Sequence, residues 1–364
     1  MPALVHGHPR RGPDASALPS PRSALPDRRG WLRSPAFDAW LIGGTLALAL
    51  VLGAVAGTTK AALGWVLFLD FWLLAHPHVG AMYTRIAFDK KSARQHWFLL
   101  VGLPPLVLAA TASLAWAGGI VVLNSVYFYW QSWHYTRQSY GIARAYQRSG
   151  GARARDLTTD VVLFAFPLWG VLHRAHQRPS QFYGMPLWCP PAPTALVLAV
   201  GSVAVGAFAL WAFRELRQMQ SAAPTSAPGH ALFVLSHVAI TLVSYLAVDE
   251  VTKGWLYVNI WHNAQYILFV WAFNVRRFQG GYDVERPLLS RLSQPSNWAA
   301  YAGACLVLST LFYVALNAST ARLASSTLPI VLVLHQTVNF HHYLIDAVIW
   351  RSPRAAPRAP HGVI

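Results

Sequence analysis

Charge is what this sequence has least of. Of its 364 residues only 12% are Asp, Glu, Lys or Arg, about half the share of an average soluble domain, while 55% are hydrophobic. That shortage argues against a soluble fold and predicts a polytopic membrane protein. Cysteine is nearly absent. Cys189 and Cys305 are far apart and lack CxxC spacing, which excludes a disulfide framework and a structural zinc site. Residues 1–30 lack the apolar run of a secretory signal; they are rich in Pro, Ser, Ala and Arg, so a disordered tail is expected. His6 and His8 lie in that tail and carry no functional expectation. There is no P-loop, GxGxxG, GxSxG or HExxH, so nothing suggests nucleotide binding or serine hydrolysis. Acidic residues are scarce too, 13 against 29 basic ones. In a membrane protein such an excess marks cytoplasmic loops, so no nucleic-acid partner is expected.

What is present is a succession of apolar stretches. Spans of about 20 residues are predicted near 37–57, 62–84, 97–117, 119–141, 157–173, 193–213, 230–248, 254–275, 297–316 and 324–350. The fifth is short and the third contains Pro104-Pro105. With the N-terminus inside, 24 of the 29 Lys and Arg fall on cytoplasmic segments, and only Lys60, Arg174, Arg178, Lys253 and Arg322 fall outside. The expected fold is therefore an all-α bundle of about ten transmembrane helices with both termini cytoplasmic. Residues 1–34 form a basic tail, 35–351 the membrane domain and 352–364 a short cytoplasmic tail. A bacterial-type plasma (inner) membrane is the expected location.

Several spans are unexpectedly polar along one face. Helical residues at i, i+4, i+7 and i+11 share a side. In the last span this stripe reads His335, Asn339, His342 and Asp346. In the fourth it reads Tyr127, Gln131, His134 and Gln138, and in the eighth Trp255, Asn259, His262 and Tyr266. The second span adds Asp70, His76 and His78, with Pro77 between the histidines. Because i and i+2 point about 200° apart, one site can take both only if the helix is distorted there. His341 sits about 100° off its stripe, as a flanking ligand or a partner for a neighbouring helix. His237, in the seventh span, is expected at a similar depth, in a polar pocket in the cytoplasmic half.

Polar groups inside a membrane cost a few kcal/mol unless paired, so aligned histidines imply a shared polar centre. Imidazole is the commonest metal ligand, and a carboxylate can complete such a site. The expected metal ligands are His76, His78, His134, His262, His335, His341, His342 and Asp70. Gln131, Gln138, Asn259 and Asn339 are expected to orient the imidazoles. Tyr127, Tyr266 and Asp346 are the expected catalytic groups, with Tyr140 and Tyr343 as further proton donors or rim residues. His173-x-x-His176 is read as part of a solvated outside loop, and the basic run over 152–156 as a topology and lipid-headgroup signal.

One or two metal ions, iron first, would suit a membrane oxidoreductase such as an oxygenase, hydroxylase or desaturase. Its partners would be membrane lipids, a lipid-soluble substrate and an electron donor. The pattern loosely resembles the histidine-box membrane desaturases and hydroxylases. Their boxes are of HxxxH and HxxHH types, whereas this chain has HPH, WHxxxQ, WHN and HxxxxxHH, so no residue role is carried over. The alternatives are haem or quinone binding for electron transfer, with His134, His262 and His342 as candidate haem ligands, and transport of protons, metal ions or a small solute.

Overall fold

The computed structural model describes residues 30–350 except 89, 152–154, 221–226 and 322–328. His6, His8, Arg351, most of the expected tails and part of the 152–156 run lie outside the described residues. Among the described residues the molecule is helical apart from one hairpin and the connecting loops. The long helices are α1 (Pro35–Thr58), α2 (Lys60–Ile86), α3 (Phe98–Ser149), α4 (Leu157–Gln177), α5 (Thr194–Met219), α6 (Pro228–Ala247), α7 (Val251–Arg277), α8 (Trp298–Thr320) and α9 (Ile330–Ile349). Among the described residues six of these, α1, α2, α3, α5, α6 and α8, are long and apolar enough to cross a membrane. Their outward faces carry large exposed apolar side chains such as Trp40, Trp65, Trp116, Leu198 and Leu311. In water such a surface would aggregate; against lipid it is the expected exterior. The chain is a helical membrane bundle. The other three long helices, α4, α7 and α9, carry much of the polar load.

Sequence chemistry accounts for the breaks. Ser34 caps α1 by accepting from the Phe37 amide at 3.2 Å, and Thr59 caps α2 by accepting from the Ala62 amide at 3.0 Å. The 52-residue α3 is two helices end to end, because Gly119 adopts φ 64° and ψ −162°, a conformation essentially reserved for glycine. Pro104-Pro105 sit in the first turn after a π-helical segment, Phe98–Gly102, and do not break the helix. In α2 a π-helical turn, Phe71–Ala75, directly precedes His76 and Pro77. Pro77 has no amide hydrogen to give to the carbonyl four residues earlier, and an inserted residue re-aims the side chains beyond it.

The core is arranged around α7, which packs against α1, α2, α3, α6 and α8, while α9 packs along α3. The chain ends of α2, α7 and α9 meet at Ile86, Arg277 and Ile349, so these three helices run in one direction. At the opposite end sits the hairpin, Gln181–Phe182 paired with Met185–Pro186. Its two-residue turn, Tyr183-Gly184, has both φ angles positive, as a type I′ turn requires. Asn124 holds the hairpin by donating to the carbonyls of Phe182, Met185 and Pro186, and Thr252 accepts from the Tyr183 amide at 3.1 Å.

His173 and His176 are not in a loop. They occupy the last turns of α4, where His176 Nδ1 meets the Ala192 carbonyl at 3.0 Å. Between them, Arg174 is fully buried and donates to the carbonyls of Ser244, Val248 and Asp249, so the unpaired end of α6 is satisfied by a side chain. Gly254 permits this contact. A Cβ there would stand 2.3 Å from the Ser244 carbonyl oxygen and 2.5 Å from Arg174 Nη2. Gly254→Ala should therefore destabilise the bundle by about 1–3 kcal/mol, the usual cost of overpacking. The readout is an earlier thermal unfolding midpoint in detergent; an unchanged midpoint would show that this end of α6 yields freely.

Candidate metal centre

The three polar stripes and α2 converge on one cavity of about 80 Å³. From the stripes, its walls include His335, Asn339 and His342 of α9, Tyr127, Gln131 and His134 of α3, and Trp255, Asn259 and His262 of α7. The i, i+4, i+7 positions of each stripe thus share a space, as helical periodicity requires. The fourth positions diverge. Asp346 stays with the histidines, Tyr266 stacks on His78 with ring centroids 4.1 Å apart, and Gln138 turns to donate to the His262 carbonyl at 3.1 Å.

At the inner end of the cavity, His78, His134, His342 and Asp346 each offer a ligand atom, all within 4.8 Å of one another and all buried. His78 Nε2 and His342 Nε2 are 2.7 Å apart, and His342 Nε2 lies 3.6 Å from Asp346 Oδ2. Nitrogen and oxygen ligands about 2.1 Å from a common ion stand roughly 3–4.2 Å from each other, so the group has the scale of a coordination sphere. The His262 ring packs on those of His78 and His134 with centroids 4.8 and 5.0 Å away, so a fourth imidazole adjoins the group.

Unmet hydrogen-bonding capacity supports an occupant. His78 Nδ1, His134 Nε2 and His262 Nδ1 are buried without a partner. Each such atom costs about 1–3 kcal/mol, and here three of them crowd one space. His342 is better prepared. Its Nδ1 lies 3.2 Å from Met82 Sδ, a weak acceptor, and that tautomer leaves Nε2 free to ligate. Asp346 Oδ1 accepts from the Tyr266 hydroxyl at 2.5 Å and from Trp350 Nε1 at 3.2 Å, so its Oδ2 is the oxygen turned to the histidines.

The remaining candidates are placed elsewhere. Asp70, 1% exposed, accepts from Asn259; Asn259 Oδ1 in turn accepts from the Tyr135 hydroxyl at 2.5 Å, and Tyr135 accepts from Gln131. This Asp70–Asn259–Tyr135–Gln131 chain is a separate network beside the histidines. His341 spends both ring nitrogens, Nδ1 on the Tyr83 hydroxyl at 3.0 Å and Nε2 on the Leu99 carbonyl at 2.7 Å, so it ties α9 to its neighbours. His76 stacks on Tyr313 at 3.6 Å and His335 meets Asn317 Oδ1 at 3.0 Å; both line the far end of the cavity. His237 is not in the cavity, because its Nε2 is used on the Leu163 carbonyl at 3.1 Å. The amides of Gln131, Gln138, Asn259 and Asn339 bond to other groups than imidazole nitrogens; Asn339, for one, donates to Gln336 at 3.2 Å. Besides His78, the groups that meet the His342 ring nitrogens are Met82 and Asp346. Tyr127 and Tyr343 form cavity wall, and the Tyr343 ring stacks on His134 at 4.2 Å. Tyr135, Met82 and Trp350 are the participants that the stripes did not flag. Tyr135 follows Gln131 at i+4 and Trp350 follows Asp346 at i+4, so helical spacing contained a signal for both.

No family model, curated protein or solved structure matches this chain. The donor set itself, three imidazoles with one carboxylate and a fourth imidazole at the flank, could hold a metal ion.

Two substitutions test the centre. His134→Ala should abolish retention of metal through purification while the protein still inserts into membranes, as measured by elemental analysis of the membrane-extracted protein. Tyr266→Phe removes the shorter of the two hydrogen bonds that orient Asp346, together with the hydroxyl that accepts from Trp350 at 3.4 Å. It should weaken metal affinity about 10–100-fold, the usual effect of losing an outer-shell partner, in a chelator competition titration.

Proposed function

We propose that this protein is a metal-dependent membrane oxidoreductase acting on a lipid-soluble substrate, with an iron ion held by His78, His134, His342 and Asp346. The convergence of these four groups in a helical bundle carries the reading. In this proposal the break at Gly119 divides α3 into two spans and α4, α7 and α9 also cross, giving ten spans with both termini cytoplasmic. The basic residues support that orientation through the positive-inside rule. The membrane is proposed to be a bacterial-type plasma membrane.

An ion in this site would supply redox and Lewis-acid chemistry with open positions for a small co-substrate. The chain's own groups do the rest. His78 and His342 present Nε2 atoms side by side, Asp346 adds negative charge, and Tyr266 holds a proton on Asp346 Oδ1. Around them Tyr343 and Tyr135 press on imidazole faces and restrict water. Haem is the weaker alternative. The histidine rings lie edge to face with centroids 4.6–5.0 Å apart, and a cavity of about 80 Å³ has no slot for a macrocycle. Ion passage is the second reading, supported by the cavity's run from the histidine group to His76 and His335.

Elemental analysis and absorption spectroscopy of the purified protein separate these readings. The expected result is stoichiometric iron with no Soret band, and oxygen uptake when a reductant and membrane lipid extract are added. A Soret band would replace this reading with haem, and metal-free protein from iron-replete cells would leave transport.

A further inference from the structure

A second cavity lies where α2, α7 and α9 end, separate from the histidine group, with a volume of about 200 Å³. Its walls include Arg85, Ser92, His96, Phe273 and Arg277, and none of its described lining residues is acidic. Arg85 is held by two aromatic faces, with its guanidinium carbon 4.2 Å from the Phe273 ring centroid and 3.8 Å from that of Trp350. Stacking fixes the plane of the guanidinium but satisfies none of its N–H groups. Arg85 Nη1 is buried and has no hydrogen-bond partner. The backbone beneath is fixed as well, since Ser92 Oγ donates to the Arg85 carbonyl at 2.9 Å and His96 Nδ1 lies 2.9 Å from the Ser92 carbonyl.

We propose that this cavity binds a phosphate group, with Arg85 as its main donor and Arg277 as a second cation. A planar, immobilised guanidinium with an unspent N–H group matches the paired oxygens of a phosphate. A water needs about 10–15 Å³ by the same measure, so the space takes a phosphate group together with some of its hydration. The location suits the headgroup of an anionic lipid as well as a free phosphate, because it opens where three helices end. The ligand would also sit one side chain from the histidine group, because Trp350, which stacks on Arg85, donates its indole N–H to Asp346 at 3.2 Å. The site does not depend on a metal being bound.

The test uses the full chain, purified in phosphate-free neutral detergent. Inorganic phosphate is titrated by calorimetry. In parallel, phosphatidylglycerol retention from mixed phosphatidylglycerol–phosphatidylcholine nanodiscs is measured by native mass spectrometry. Arg85→Gln and Arg277→Gln should each weaken binding about ten-fold or more, as expected for a lost charge-assisted hydrogen bond. Arg276→Gln, one residue from Arg277 but outside the cavity lining, should bind as the unmodified protein does. Arg277 is exposed, so its variant tests the site even if Arg85→Gln fails to fold. Saturable binding of inorganic phosphate identifies a free-phosphate site. Phosphatidylglycerol retention without phosphate binding identifies a lipid headgroup site. Failure to bind either probe, or equal losses in all three variants, overturns the proposal.

Discussion

A ring nitrogen buried in a membrane interior must find a partner, and much of this molecule depends on that requirement. Water cannot supply one inside the hydrocarbon, and a hydrogen bond between membrane helices contributes only about 0.6 kcal/mol on average. Leaving a buried donor or acceptor unpaired costs more than such a bond returns. His341 meets the requirement in full, with a hydroxyl on Nδ1 and a carbonyl on Nε2, and it ties α9 to its neighbours. His78, His134 and His262 do not, since each keeps a buried nitrogen unpaired while crowding the others. His237 also keeps Nδ1 unpaired, so what sets these three apart is unmet capacity together with their crowding around one space.

The second requirement is aim. His76 and His78 straddle Pro77, and a regular helix would send one of them away from any site that takes the other. The π-helical turn at Phe71–Ala75 rotates the register just before them. His78 enters the metal group, and His76 remains on the cavity wall against Tyr313. Distortion therefore sorts two adjacent histidines into two positions along one cavity. The hairpin turn at Tyr183 contributes from the other side. Its ring packs on Phe71 and Trp255, two residues of the cavity wall.

Much of this was legible in the sequence because helical periodicity is local. The 4-3-4 stripes place His134, His262 and His342 on one side of their helices, and the structure turns those sides toward each other. What the stripes could not give was the choice among equivalent polar groups. Asp70 and Asp346 look alike in sequence, each a lone acid in an apolar run. Tertiary packing gives Asp70 to Asn259, and leaves Asp346 facing His342 with Tyr266 and Trp350 behind it. The expected orienting amides failed for the same reason, since the reach of a glutamine to a particular ring nitrogen depends on the relative height of two helices. Arg85 is, in sequence, one more basic residue at the end of an apolar span. Only the folded chain shows it stacked between two aromatic rings with an N–H left over.

The sizes of the two cavities constrain any chemistry at the histidine group. About 80 Å³ admits several water-sized molecules, not an acyl chain. A lipid-soluble substrate of the proposed reaction must therefore bring its reacting carbon to the edge of this space while most of its length lies outside it. Among the described residues the end lined by His76, Tyr313 and His335 suits this, since His76, His335 and Asn339 are half-buried there. The opposite end is closed by Tyr266, Asp346 and Trp350, and Arg85 lies beyond them. Access for a substrate and access for a charged ligand would then come from different ends of one polar column. That separation gives the chain a reason to keep two arginines and four histidines within the same three helices that run in parallel and the one that packs along them.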